Sequence, residues 1–238
     1  MKSVLGAATR RNIVASLAVT AATPGWAWAQ PVGAEFWLVR HGESFVNTAP
    51  DPAIPDTGVS YPLTTAGFKQ AQLLADKLDV SPQILTASTR VRAIQTADAV
   101  ALKFGMEMTL APELVEIDFG AAGQISDKVA MMTEVRRICA DWLLERRDAG
   151  APGGETLSLV KERYLPFMRS RLSALRAGPT PGVFVMHGAL MSVTGPALFA
   201  NVTPQFALTH PLANCAVIRG RMTPSGPICI DWAGATPA

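Results

Sequence analysis

The chain has 238 residues, of which 49% are hydrophobic and 17% charged, which allows one domain with a sizeable core and is typical of a globular protein. Its 21 basic and 19 acidic residues give a net charge of +2, but residues 1–29 hold three of the bases and no acid. The remainder carries about −1, which excludes the strongly basic composition of many nucleic-acid-binding proteins.

Residues 1–29 have the pattern of a secretory signal peptide. Basic residues, including the pair Arg10-Arg11, precede an apolar region at about 13–23, and Ala27-Trp28-Ala29 resembles a cleavage site. The paired arginines are typical of a twin-arginine signal, and an ordinary secretory signal is the alternative. No stretch approaches the roughly 18 consecutive apolar residues of a membrane span. The sequence therefore predicts an exported, periplasmic domain over residues 30–238, with no stable membrane span.

After the signal segment, the hydrophobic pattern predicts strands that alternate with helices. The expected strands are 35–39, 84–86, 107–110, 182–186, 214–219 and 228–232, and the expected helices are 64–78, 90–104, 126–149, 156–176 and 189–200. Ser88 or Thr89 is expected to cap the second helix. A long loop over 40–63 is typical of a functional segment. The alternation predicts a three-layer α/β/α sandwich with a mostly parallel mixed sheet.

The longest predicted helix carries apolar residues at spacings of three and four, which indicates a face packed on the core. These residues are Val129, Met132, Val135, Ile138, Cys139 and Trp142. The pair Met131-Met132 is accordingly expected in the core and not on a binding surface. Arg136-Arg137 is expected on a solvated face.

The three cysteines outside the signal segment are an odd number and form no C-x-x-C pair. This pattern suggests neither a zinc site nor a disulfide framework. A bridge between Cys215 and Cys229 is one possibility in an oxidising compartment, and buried free thiols are the other.

Two of the three histidines directly follow apolar runs. Arg40-His41-Gly42 comes after the first predicted strand, and His187-Gly188 after the strand at 182–186. Strand ends are where open α/β sheets place their ligands. If these ends meet, Arg40, His41 and His187 form a cationic group with Arg92. Such a group suits an oxyanion such as phosphate, and Asn47 can add a neutral donor.

A histidine beside bound phosphate can also act as a nucleophile. Neighbouring cations lower the pKa of an imidazole and so favour its neutral, reactive form. A carboxylic acid then has to protonate the leaving alcohol, and Glu116 is the candidate. The arginines can supply the charge stabilisation, so neither a metal nor another cofactor is expected.

The ordered motifs resemble those of the histidine phosphatase superfamily, the phosphoglycerate-mutase-like fold, in its smaller branch. The first motif, L-V-R-H-G-E-S-x-x-x-N, runs from Leu38 to Asn47. The others follow in order at Leu63–Ala71, Ser88–Ala97, Leu114–Gly120, Gly153–Thr156 and His187-Gly188. The resemblance implies a phosphoglycerate-mutase-like sandwich and a phosphoric monoester hydrolase of the histidine acid phosphatase type.

The same resemblance assigns roles to individual residues. His41 would be the phosphorylated nucleophile, and Glu116 would be the general acid and later the base. Arg40, Arg92 and His187 would bind the phosphate, with help from Asn47. Ser44 and Glu155 are further candidate substrate contacts, although Glu155 could instead cap the helix that follows it.

Three departures from the family pattern bear on the substrate. The segment Gly120–Gly123 lacks the family's Trp and Glu, Ser192 replaces a frequent arginine, and the stretch between Glu116 and Gly153 is short for a mutase. They favour a metal-independent phosphatase that acts on a phosphorylated small molecule or envelope component. A mutase-like phosphotransferase and a non-catalytic phosphate-binding envelope protein are the alternatives. The leaving group and the choice between monomer and dimer stay open.

Overall fold

The computed structural model describes residues 32–48 and 61–237, so the predicted signal peptide lies outside the described residues. The described chain forms a six-stranded sheet and six helices. The strands are β1 (Ala34–Arg40), β2 (Ile84–Ser88), β3 (Thr109–Ala111), β4 (Gly178–Met186), β5 (Val217–Thr223) and β6 (Gly226–Trp232). The helices are α1 (Thr65–Asp76), α2 (Val91–Phe104), α3 (Lys128–Leu143), α4 (Leu157–Ser173), α5 (Gly188–Leu198) and α6 (Pro204–Thr209).

The sheet has the order β3-β2-β4-β1-β5-β6. The first four strands in that order are parallel, while β5 is antiparallel to β1 and β6 is antiparallel to β5. Parallel strands need helical crossovers on the faces of the sheet. The mixed, mostly parallel sheet that the sequence predicts is therefore confirmed.

Alternating side chains of β1 divide the core between the two faces of the sheet. Val39 packs with buried residues of α1 and α2, such as Leu74 and Val100. Phe36 and Leu38 pack on the opposite face with residues of α3 to α6. This period-two alternation is what a strand buried on both faces requires. The predicted three-layer α/β/α sandwich is confirmed.

Several element boundaries differ from the prediction. The third helix is shorter than 126–149, and the six-residue helix α6 was not predicted. Neither Ser88 nor Thr89 caps α2, because Arg90 occupies the N-cap position with an extended backbone and no side-chain cap. No helix in the described part of the chain is long and apolar enough to span a bilayer.

All three cysteines are free thiols. Cys229 lies opposite Gly220 in the β5–β6 ladder, while Cys215 precedes β5. The possible bridge between Cys215 and Cys229 is therefore not formed, because the register of the hairpin places another residue opposite Cys229.

Candidate active site

The register between β1 and β4 brings the two histidines together. Arg40 pairs with Met186, the last residue of β4, and the backbone N–H of His41 donates to the carbonyl of Met186 at 3.0 Å. His41 and His187 therefore leave the sheet side by side, with ring centroids 5.1 Å apart. Both rings are almost fully buried. The predicted meeting of the two strand ends is confirmed by this geometry.

Two hydrogen bonds define the protonation of the His41 ring. Nδ1 lies 2.7 Å from the carbonyl oxygen of Gly42, which can only accept, so Nδ1 carries the proton. Nε2 accepts from Nε of Arg92 at 3.2 Å and therefore presents a lone pair. A neutral imidazole with its lone pair on Nε2 is the form that a nucleophile requires.

The surroundings favour this neutral form. Burial and the nearby Arg92 and Arg40 guanidinium groups hold the pKa of His41 well below its usual range, and the hydrogen bond to Gly42 opposes them only partly. Burial also holds the pKa of His187 well below its usual range, and the charges of Arg92 and of the His41 ring add to that effect. Both rings are therefore neutral at physiological pH.

Arg40 and His187, the two neighbours of His41, each have a buried nitrogen without a hydrogen-bond partner among the described residues. Nε2 of His187 lies 2.8 Å from Oγ of Ser88, but its Nδ1 has no partner within the described residues. Arg40 donates through Nη1 to the carbonyl of Leu212 at 2.6 Å, and its buried Nε has no acceptor there either. Unpaired buried donors are costly, typically about 1–3 kcal/mol each. An oxyanion held beside Arg40 and His41 would provide the acceptors.

Glu116 lies at the N-terminus of α5, the helix that begins directly after His187. Its carboxylate accepts from the backbone N–H groups of Ile117, Ala189 and Leu190, at 3.1, 3.4 and 3.0 Å. Helix N-terminal N–H groups have no partner within the helix and commonly hold an anionic side chain. Burial lowers the pKa of Arg40, and the nearby Glu116 carboxylate partly opposes that shift. The acid candidate is thus held close to the phosphate-binding group.

Asn47 faces the same cavity as His41, whereas Ser44 does not. Oδ1 of Asn47 accepts from the N–H and Oγ of Ser44 and from Nδ2 of Asn214. Its amide NH₂ is therefore the part left for a ligand, as the predicted role requires. Ser44 is fully buried, and its two hydrogen bonds to Oδ1 hold the Asn47 side chain in position. The structure thus gives Ser44 a supporting contact in place of the expected substrate contact.

Residues of the second and third motifs hold the loop that carries His41. The backbone N–H of Gly42 donates to Thr96 Oγ1 at 2.9 Å, and that of Glu43 donates to Gln70 Oε1 at 2.8 Å. A Cβ on Gly67 of α1 would collide with the backbone oxygen of Glu43, so only glycine permits this close approach. These two motifs therefore supply the contacts that position His41.

The structure does not bring Glu155 into the site. Its carboxylate pairs with Arg163 of α4, with Nε–Oε1 at 2.6 Å, and accepts from the N–H of Asp118 at 2.9 Å. Burial raises the pKa of Glu155, but the hydrogen bonds from Arg163 and Asp118 outweigh it and hold the pKa below its usual range. Thr156, not Glu155, caps α4. Contrary to both expectations from the sequence, Glu155 therefore neither lines the site nor caps α4. Its contacts with Asp118 and Arg163 instead link the segment after Glu116 to α4.

A cavity of about 620 Å³ opens over these groups. Arg40, His41, Arg92, Glu116 and Asn47 line it, and so do Met131 and Met132, which corrects their expected place in the core. Arg136 also lines it. A second concavity of about 760 Å³, beside Trp37 and Arg219, contains none of the predicted site residues. Within residues 32–48 and 61–237, no group of three or more His, Cys, Asp or Glu residues could hold a metal ion.

Three supporting residues were not identified from the sequence. Ser88 and Thr96 both lie in the third motif, which offered a signal for their contacts with His187 and Gly42. Asn214 donates to the carbonyl of His41 and to Asn47, both at distances close to 3.2 Å. It lies more than 160 residues away from both, and no local pattern marks it.

Comparisons with known proteins agree with the fold and with the family that the motifs resemble. Fructose-2,6-bisphosphatase TIGAR B of Danio rerio is 34% identical over 140 residues, which is 56% of this chain and 51% of the relative. The chain thus spans about half the length of that relative. Solved structures of a mycobacterial glucosyl-3-phosphoglycerate phosphatase and of the α-ribazole phosphatase of Shigella flexneri share the fold, with TM-scores of 0.65 and 0.64.

These two structures are 20% and 21% identical to the chain, cover 85% and 86% of it, and are themselves covered over 99% and 98% of their lengths. The family model of the histidine phosphatase superfamily (branch 1) matches residues 36–234. That range contains the candidate site residues His41, His187, Arg40, Arg92 and Glu116. The chain therefore belongs to the histidine phosphatase superfamily, branch 1.

Proposed function

We propose that the chain is a metal-independent phosphomonoesterase that acts through a phosphohistidine on His41. The observation that carries this proposal is the neutral His41 ring, with its lone pair on Nε2, among Arg40, Arg92 and His187. The relatives are phosphatases, which supports a phosphatase activity in general. The retained Glu116 favours catalysis over simple phosphate binding, because binding needs no proton donor.

In the first step, Arg40, Arg92 and His187 bind the phosphate oxygens. Arg92 gives up its hydrogen bond to His41 Nε2 in favour of the anion, which frees the lone pair. Nε2 then forms a bond to phosphorus while the bond from phosphorus to the ester oxygen breaks. Glu116, which takes up a proton from solvent when the anionic phosphate binds beside it, donates that proton to the oxygen, and the alcohol leaves. The fixed guanidinium donors stabilise the charge that develops on the phosphoryl oxygens.

In the second step, water attacks the phosphohistidine. The Glu116 carboxylate accepts a proton from the water as its oxygen forms a bond to phosphorus and the bond to Nε2 breaks. Inorganic phosphate leaves, and both His41 and Glu116 return to their starting protonation states. One group thus serves as acid and then as base, as microscopic reversibility requires.

The proposal is tested by trapping the intermediate. The full chain is mixed with a ³²P-labelled phosphomonoester and quenched within milliseconds in alkaline detergent, with EDTA present in a parallel reaction. We expect label that alkali retains and acid releases, on the peptide that contains His41, with or without EDTA. His41→Ala should abolish the label and His210→Gln should keep it, since His210 lies outside the cavity. Full turnover by His41→Ala would refute the mechanism.

Export to the periplasm is the second part of the proposal, and it rests on the pattern of residues 1–29. Cell fractionation should find a product shortened by about 29 residues in the periplasm. If the twin-arginine route is used, the double substitution Arg10→Lys with Arg11→Lys should leave the precursor in the cytoplasm. If the general secretory route is used, the doubly substituted chain should still be exported. An uncut wild-type chain confined to the cytoplasm would contradict export.

A further inference from the structure

The walls of the cavity above His41 are apolar. Side chains from three separate parts of the fold converge there: from the segment before α3, from α3 itself, and from α6 with the residues that follow it. They include Phe119, Met131, Met132, Val135, Leu208 and Leu212. Phe119, Leu208 and the three α3 residues are only partly buried, so the cavity presents their apolar surface to a ligand.

The charged groups of this cavity are concentrated at one end. Among the described residues, Arg136 is the one charged residue that lines it apart from Arg40, His41, Arg92 and Glu116, and its side chain is exposed to solvent. Lys128, at the start of α3, does not line the cavity, and its ammonium donates to the carbonyl oxygen of Thr48. A phosphate bound at His41 would thus have its charge balanced by Arg40 and Arg92, while the rest of the ester meets few polar partners among the described residues.

The remaining polar residues of the lining are small or neutral. Ser192, at a position where the family often has an arginine, is a small neutral residue of the lining. Burial, with a contribution from the Glu116 carboxylate, raises the pKa of the Cys139 thiol to about 12, so Cys139 lines the cavity as a neutral group. A sugar or glycerate has several hydroxyl or carboxylate groups, and each would lose its hydrogen bonds to water on entering such a site.

We propose that the preferred substrates are phosphate monoesters of apolar alcohols, whose hydrocarbon part lies against α3 and α6. This inference rests on the proposed phosphatase function and specifies its substrate class. The cavity volume of about 620 Å³ is within the roughly 300–1,000 Å³ of sites that enclose whole small molecules. It can therefore hold a leaving group well beyond the size of ethanol or glycerol.

The size of the expected preference follows from the burial of hydrocarbon. A fully buried methylene group is worth enough transfer free energy for about a fourfold change in an equilibrium constant. Partial burial reduces that factor. We therefore expect kcat/KM to rise about two- to fourfold for each added methylene until the chain fills the cavity.

The test is a series of ethyl, butyl, hexyl and octyl phosphate, assayed with the full chain at concentrations where the esters are monomeric. The alcohols in this series have almost the same leaving-group pKa, so differences in kcat/KM report contacts and not the chemical step. Glucose 6-phosphate provides a polar substrate of similar size to hexyl phosphate. We expect hexyl phosphate to exceed both ethyl phosphate and glucose 6-phosphate by at least tenfold.

A matched pair of substitutions on α3 tests whether the preference for longer alkyl chains comes from the cavity wall. Val135→Thr replaces a methyl group by a hydroxyl in the cavity wall, and Val129→Thr makes the same change at a position that is 77% exposed and outside the lining. We expect Val135→Thr to lower the hexyl-to-ethyl ratio of kcat/KM about three- to tenfold, because the hydroxyl opposes hydrocarbon burial. Val129→Thr should leave the ratio and the basal activity unchanged.

The possible outcomes separate this inference from the proposed function. A flat or falling alkyl series with hydrolysis of p-nitrophenyl phosphate intact would overturn the apolar substrate class alone. Equal effects of the two threonine substitutions would also overturn it, because the preference would then lie outside this cavity. Failure to hydrolyse any phosphomonoester, with no label on His41, would overturn the proposed function together with the inference.

Discussion

Arg92 has two acceptors to serve during the proposed reaction. Its Nε donates a hydrogen bond to Nε2 of His41, and this bond excludes the tautomer in which Nε2 carries the proton. When phosphate is present, the planar guanidinium can turn to two of its oxygens, which lysine could not imitate. The same side chain thus selects the reactive form of His41 and then releases it.

The role of Glu116 can be separated from that of His41 by the choice of leaving group. Glu116→Gln should lower kcat/KM for butyl phosphate about 10²- to 10⁴-fold, because the alkoxide needs a proton as it leaves. The decrease should be much smaller for 2,4-dinitrophenyl phosphate, whose leaving group is stable as an anion. Steady-state kinetics with both esters measures the difference.

Glu113→Gln is the matched control for this experiment, since Glu113 precedes Glu116 by three residues and does not line the cavity. Its kinetics should be those of the wild type. Equal losses on both esters in Glu116→Gln would instead mean that Glu116 positions the phosphate and transfers no proton.

At the level of elements, α3 shows what an apolar pattern does and does not determine. Its spacing predicts one core-facing face, and Ile138 and Trp142 of that face are buried in the core, but Val129 is 77% exposed, contrary to the prediction. Met132 and Val135 belong to the same predicted face but are only partly buried and line the cavity. Periodicity identifies the face of a helix, but only the tertiary structure shows what that face meets.

The motifs predict most residues of the candidate site, but they predict few of the contacts that hold those residues in place. Residues at the ends of β1 and β4 were placed correctly, because parallel strands end at one edge of a sheet. Glu155 was misassigned, since its partner Arg163 lies eight residues further on and could not be paired with it by local rules. The helix α6 was missed because six residues carry too little periodicity.

The contact between α1 and the His41 loop gives a prediction at this scale. Gly67→Ala should lower the free energy of unfolding by about 1–3 kcal/mol, because its Cβ collides with the Glu43 backbone and this outweighs the gain in helix propensity. It should also reduce kcat, since the loop that holds His41 must shift. Urea denaturation and steady-state kinetics measure both effects.

Ala66→Ser also adds one heavy atom to α1 and serves as the control, because residue 66 is exposed. Its stability should stay within about 0.5 kcal/mol of the wild type. An equally stable and fully active Gly67→Ala variant would show that the loop does not depend on this close approach.

For the whole molecule, burial of two neutral histidines links stability to pH. Below the ordinary histidine pKa of 6.5, the unfolded chain binds protons at positions 41 and 187 that the folded protein does not bind. Protons therefore stabilise the unfolded state as the pH falls. Each of the two histidines lowers the free energy of unfolding by up to about 1.4 kcal/mol per pH unit in this window.

This linkage is tested by urea denaturation in phosphate-free buffer between pH 8.5 and pH 5. The free energy of unfolding should decrease below pH 6.5, and His41→Asn should reduce that slope by up to about 1.4 kcal/mol per pH unit. Between pH 7.5 and pH 8.5 the two proteins should show the same slope, which provides an internal control. Identical slopes below pH 6.5 would show that His41 takes up a proton in the folded state.

The pairing of Arg40 with Met186 also bears on how the protein folds. The two strands are separated in the chain by β2, β3 and four helices, so their alignment requires a contact of very long sequence separation. Such contacts form slowly, because loop closure costs entropy before any burial compensates for it. His41 and His187 can meet only once this alignment exists. Recovery of enzymatic activity after dilution from urea should therefore lag behind the recovery of helical structure. The rate at which activity returns then measures how fast β1 and β4 align in the centre of the sheet.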